Sequence, residues 1–97
     1  MQGDASSIKE LMAQAFHEFH LDDTLIRGQV EQAYRETVGE LVTRLTYTVR
    51  YAPESHILYL RYASPALRQE MNYKITDLIN AINTRLNRQE VQKIVVS

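Results

Sequence analysis

Ser64-Pro65-Ala66-Leu67-Arg68-Gln69-Glu70 follows two strand-like runs joined by a short turn, and it opens a long amphipathic segment that reaches Ile82-Asn83. Ser64 is a helix cap by type. Pro65 falls at the first helical position, where a missing N–H costs nothing. Leu67, Met71, Ile75, Leu78, Ile82 and Leu86 recur at helical spacing with Ile79 beside them, which predicts one helix from the cap to about Asn87. A last apolar run, Val91 to Val96, reads as a strand. Hairpin, capped helix and final strand, in that order, predict an α+β fold.

Upstream of the cap the period is two. Leu45, Tyr47, Val49 and Tyr51 alternate with Arg44, Thr46, Thr48 and Arg50, which predicts a half-buried strand with one polar, basic face. Pro53-Glu54-Ser55 makes the turn. In the next strand Leu58, Leu60 and Tyr62 alternate with Ile57, Tyr59 and Arg61. Three strands are few enough for helices to cover one face and leave the other open. A strand–helix–strand step makes strands two and three parallel. Placing strand one between them would give antiparallel neighbours throughout, and that order is expected.

Further upstream, Ser6 or Ser7 can cap a first helix from about Ile8 to Phe19, whose stripe is Ile8, Leu11, Met12, Ala15, Phe16 and Phe19. Asp22, Asp23 and Thr24 offer caps for a second helix, running from about Leu25 through Val38 or on to Val42. Gly39 could end that helix or let another element approach closely. The predicted order is therefore α-α-β-β-α-β, with residues 1–6 disordered and 7–97 forming one domain.

The chain has 97 residues, 44% of them hydrophobic, and no cysteine. That permits one small core and excludes a disulfide framework or thiolate site. No apolar run approaches a membrane span, and the start lacks the basic and apolar regions of a signal peptide. A cytoplasmic protein is expected. Charge is uneven: residues 1–42 hold three bases and eight acids, residues 43–97 eight bases and four acids. A polyanion would prefer the second half.

Five pieces of sequence carry a family resemblance. They are Leu21-Asp22-Asp23-Thr24-Leu25; Tyr34-Arg35-Glu36-Thr37-Val38-Gly39; Thr46 with Ile57-Leu58-Tyr59-Leu60; Ser64 to Met71; and Ile82-Asn83 with Val91 and Ile94. In this order the chain, over about Ser7 to Val96, resembles the DciA-like family of bacterial proteins, catalogued as domain of unknown function 721. The compact form resembles versions seen in the Bacteroidetes. Tyr34 stands where that family usually has Trp. The resemblance implies a KH-like domain and a role beside the replicative helicase, as a loader or operator, with DNA binding as part of it.

The candidate nucleic-acid-binding residues are Arg44, Arg50, Tyr59, Arg61, Arg68, Lys74, Arg85, Arg88 and Lys93. Arg44, Arg50 and Arg61 are expected on the open hairpin face with Tyr59 between them. Arginines contact phosphates, and an exposed tyrosine gives a base something to stack on. The bland alternative is a solvated, edge-protected sheet face. KH domains usually grip nucleic acid with a Gly-x-x-Gly loop, and the chain's glycines, at 3, 28 and 39, make none. Single- or double-stranded DNA and RNA all remain open as ligands.

His17 and His20 lie at a metal-like spacing, but the nearby acids read better as caps, so no metal is expected. Asn83 beside the buried stripe reads as a packing amide. Ser64 has no activating histidine in any recognisable motif, and Gly-x-Ser-x-Gly, phosphate-loop and dinucleotide motifs are absent. A non-enzymatic adaptor without cofactor is expected. The alternative is a protein–protein module without direct nucleic-acid contact, with Ile57 and Tyr73 as anchors.

Overall fold

The β-branched and aromatic run after Arg44 forms the hairpin. β1 (Thr46–Ala52) and β2 (Ile57–Tyr62) pair antiparallel, with Ala52 opposite Ile57 at the turn. The computed structural model describes residues 21–97. The first helix expected over 8–19, the N-terminal residues 1–6, and His17 and His20 lie outside the described residues. Among the described residues the other elements are α1 (Leu21–Arg44), α2 (Pro65–Tyr73), α3 (Ile75–Leu86) and β3 (Lys93–Val96).

The strand order is β1-β2-β3, with β2 and β3 parallel. This corrects the expected order, which put β1 in the middle. The central place goes to the strand with the most completely covered inner face. Leu58, Leu60 and Tyr62 of β2 are all at most 2% exposed. The outer edge of β1 is instead occupied by side chains of α1. Arg27 Nε donates to the Tyr51 carbonyl at 3.1 Å, and Tyr51 N–H donates to Glu31 Oε2 at 3.2 Å. Those bonds satisfy backbone groups that a neighbouring strand would otherwise claim, which protects the edge.

The alternation expected for β1 is broken at its start. A bulge between Thr46 and Thr48 puts Thr46 opposite Tyr62, on the covered face, and leaves Tyr47 71% exposed. Tyr34 explains why Thr46 turns inward. Its hydroxyl, buried in α1, lies 2.9 Å from Thr46 Oγ1 and 2.9 Å from the Tyr62 hydroxyl. Thr46 Oγ1 in turn donates to the Val42 carbonyl at 2.6 Å. Proton order then runs one way: Tyr62 donates to Tyr34, Tyr34 to Thr46, Thr46 to the backbone. The buried Tyr34 hydroxyl thus has a partner on each side.

Two helices depart from expectation. α1 runs on to Arg44 rather than ending by Val42, and it breaks at Gly39, whose φ of 84° and ψ of 176° only glycine adopts without strain. The Thr43 hydroxyl donates to the Gly39 carbonyl at 2.7 Å just past the break. The single helix expected from Ser64 to Asn87 is two. At Lys74 the backbone leaves the helical region (φ −105°, ψ 13°), and its N–H bonds to the Met71 carbonyl three residues back. The break lets α2 lie against the sheet while α3 packs chiefly on α1. No proline or glycine marks it, so sequence gave no sign.

The start of α2 is as expected. Ser64 Oγ accepts from Leu67 N–H at 3.3 Å, with Pro65 in the first turn. α3 ends at Asn87 in the left-handed region, which asparagine tolerates. Helices cover one sheet face, and the core there gathers Val30, Tyr34, Tyr51, Leu60, Ile82 and Ile94 among others.

Candidate nucleic-acid interface

The uncovered sheet face is defined by register, because residues paired across a ladder share a face. Three rows cross it. Ala52, Ile57 and Lys93 form the row nearest the hairpin turn. Arg50, Tyr59 and Val95 form the middle row, and Thr48 and Arg61 the last. Arg50, Tyr59, Arg61 and Lys93 are all exposed. Among the described residues, no ion pair involves Arg50, Arg61 or Lys93. The positions in these rows include no acid, so the rows are cationic around the ring of Tyr59.

The other candidates lie elsewhere. Arg44, expected on this face, sits in the last turn of α1 and pairs with Glu40 one turn back, because the helix runs two residues past Val42. Arg68 is exposed on α2. Lys74, at the break between α2 and α3, pairs with Glu70 at 3.0 Å. Arg85 of α3 reaches Glu36 of α1 at 3.4 Å. Arg88 donates to Glu90 Oε1 at 3.3 Å and to Gln29 Oε1 at 2.9 Å. The candidate set therefore splits into a free group on the sheet, a group tied to acids or amides (Arg44, Lys74, Arg85 and Arg88), and Arg68 exposed on α2.

The placement of Lys93 depends on residues that sequence reasoning missed. The His56 carbonyl, at the hairpin turn, accepts from Gln92 N–H at 3.0 Å and Lys93 N–H at 3.2 Å, which anchors the start of β3. His56 itself holds a left-handed φ of 58°. Its ring fastens it there. Nδ1 lies 3.0 Å from the Glu90 carbonyl and 3.2 Å from Glu90 Oε2, both acceptors, so Nδ1 carries a proton. Tyr51 also donates its hydroxyl to Glu90 Oε2, at 2.7 Å. Burial alone would push the Glu90 carboxyl up, but the bonds from Tyr51, Arg88 and His56 outweigh it and hold it below the usual carboxylate range. Burial, with Glu90 next to it, pushes the Tyr51 hydroxyl up.

Asn83 completes the anchor as a buried packing amide. Its Oδ1 accepts from Glu90 N–H at 3.2 Å and Val91 N–H at 2.9 Å, and its Nδ2 donates to the Val91 carbonyl at 2.9 Å. The sequence marked Asn83 by its place beside the stripe. For Glu90 and His56 there was no such signal, since an acid and a histidine in loops read as solvated.

Among the described residues, no cluster of His, Cys, Asp or Glu could hold a metal ion, and no helix is long and apolar enough to cross a membrane. What remains is an α+β domain with helices on one face of a small mixed sheet and a cationic, aromatic-centred face on the other. The chain belongs to the DciA family: the family model described as "Dna[CI] antecedent, DciA" matches residues 7–96. No curated protein and no solved structure matches it. The family is one of helicase loaders or adaptors rather than known catalytic enzymes, and membership suggests a helicase-loader-like role in replication, in association with the replicative helicase.

Proposed function

We propose that the protein is a non-enzymatic, DNA-associated adaptor of the replicative helicase, and that it meets nucleic acid through the open sheet face. Arg50, Arg61 and Lys93 supply phosphate contacts and Tyr59 sits between them. The observation that carries this reading is that these cations share one face and enter no ion pair among the described residues. Cations already tied to acids offer a phosphate less, which ranks Arg44, Lys74, Arg85 and Arg88 behind them.

Binding of a labelled oligonucleotide, followed by fluorescence anisotropy across a salt series, tests the reading. Three phosphate contacts on a single strand give a slope of about 2 log units of affinity per decade of salt. Arg50→Glu with Arg61→Glu should abolish binding and leave the fold intact by circular dichroism. Full affinity in that double variant sinks the reading.

Leu41, Tyr47 and Tyr73, at 71%, 71% and 81% exposure, support a second reading, a protein–protein module without direct nucleic-acid contact. On that reading the Arg50/Arg61 changes leave helicase capture untouched, while Tyr73→Ser weakens it.

A further inference from the structure

We propose that Tyr59 is a base-stacking platform, so that the sheet face takes unpaired nucleotides and discriminates against duplex. The inference rests on the reading of this face as the nucleic-acid interface, and goes beyond it in assigning a strand state and the residue that selects it.

The register puts Tyr59 at the middle of the face. Arg50 lies directly across the ladder on β1 and Val95 directly across on β3. Adjacent side chains in such a row are about 5 Å apart at Cβ. Arg61 is two residues along the same strand, about 6.7 Å away. Lys93 lies one row toward the turn, beside Ile57. Cations thus stand across the ladder, along the strand and on one diagonal of the ring, while Ile57 along the strand and Val95 across it are apolar. Tyr59 is 39% exposed, so part of the residue is open to a ligand.

A strand crossing this face can set phosphates on the flanking cations only with a nucleotide over the ring. An unpaired base can then stack on it. In a duplex the base faces are occupied by each other, and only the backbone reaches a flat sheet. Duplex would therefore gain the cations but not the tyrosine. Stacking on the ring should itself tolerate any base, because every base has a π-face.

The test compares Tyr59→Phe, Tyr59→Ala and Arg50→Glu/Arg61→Glu with the wild type. The probes are a short oligothymidylate and a hairpin duplex, both fluorescein-labelled. The expected result is about a tenfold loss of single-strand affinity in Tyr59→Ala, near wild-type affinity in Tyr59→Phe, and unchanged duplex affinity in both. The salt slope should stay as in the wild type, because no phosphate contact is lost. Equal losses for single strand and duplex in Tyr59→Ala, or equal losses in Tyr59→Phe and Tyr59→Ala, overturn the inference. Binding abolished by the arginine changes but indifferent to Tyr59 overturns it and leaves the interface standing. Binding indifferent to the arginines as well overturns both.

Discussion

Glu90 receives donors from three directions while nearly buried, and that makes it a pH-sensitive joint. Its folded-state carboxyl titrates below its ordinary value of 4.5. The unfolded state therefore binds the proton more readily, and the stability Glu90 contributes is complete above about pH 4.5 and lost as pH falls through its folded value. Glu90→Gln keeps the shape and removes the charge. It should cost about 1.5–3 kcal/mol in urea unfolding at neutral pH, the range for hydrogen bonds to charged groups. It should also flatten the acid limb of stability against pH. An acid limb identical to wild type would contradict this account of the joint.

The buried tyrosines act at the opposite end of the pH range. Burial pushes Tyr34, Tyr51 and Tyr62 above their ordinary value of 10.0. A raised value means that the fold favours the neutral hydroxyl. Their contribution is complete below about pH 10 and lost as pH rises through the folded values. Thermal melts should therefore fall steeply above about pH 10. Tyr62→Phe should soften that fall while costing about 1 kcal/mol at neutral pH, since it leaves Tyr34 one partner short.

Among the elements, the broken helix α1 depends on one residue. An added Cβ at Gly39 would meet nothing within 4 Å, so the space is open. The penalty is in the backbone, because a φ of 84° with ψ near 180° is a glycine region. Gly39→Ala should destabilise by about 1–3 kcal/mol, read by denaturant unfolding. Gly28→Ala, also with open space but with a helical backbone, should stabilise by up to about 1 kcal/mol. If both changes behave alike, the break at Gly39 is not what the helix needs. The other break, at Lys74, has no special residue. It follows from two packing demands, α2 on the sheet and α3 on α1, that one straight helix could not meet.

For the whole molecule, the sheet separates two chemistries. The helical side ties Arg85 to Glu36 and Arg88 to Glu90, while the open face leaves Arg50, Arg61 and Lys93 without an acid among the described residues. Salt should therefore affect stability little, since exposed pairs contribute at most about 1 kcal/mol. Salt should affect nucleic-acid affinity strongly. Melting and anisotropy over one salt series separate the two, and parallel responses would count against the division.

Local chemistry set much of this molecule in advance. The period-two runs, the Ser64-Pro65 cap and the spacing of Met71, Leu78 and Ile82 each follow from short-range geometry. They made the hairpin, the capped helix start and the Arg50–Tyr59–Arg61 face legible before any contact was known, but neither the break at Lys74 nor the bulge after Thr46. Even the DciA resemblance rests on such local pieces. Tertiary structure alone decided what depends on distant partners. The edge that β3 joins follows from which inner face is best covered. Thr46 turns inward because Tyr34 and Tyr62 need a third hydroxyl. Lys93 is held at its place on the face by Glu90 and His56, 34 residues apart in sequence. Such choices depend on partners far along the chain, which no local pattern of residues can specify.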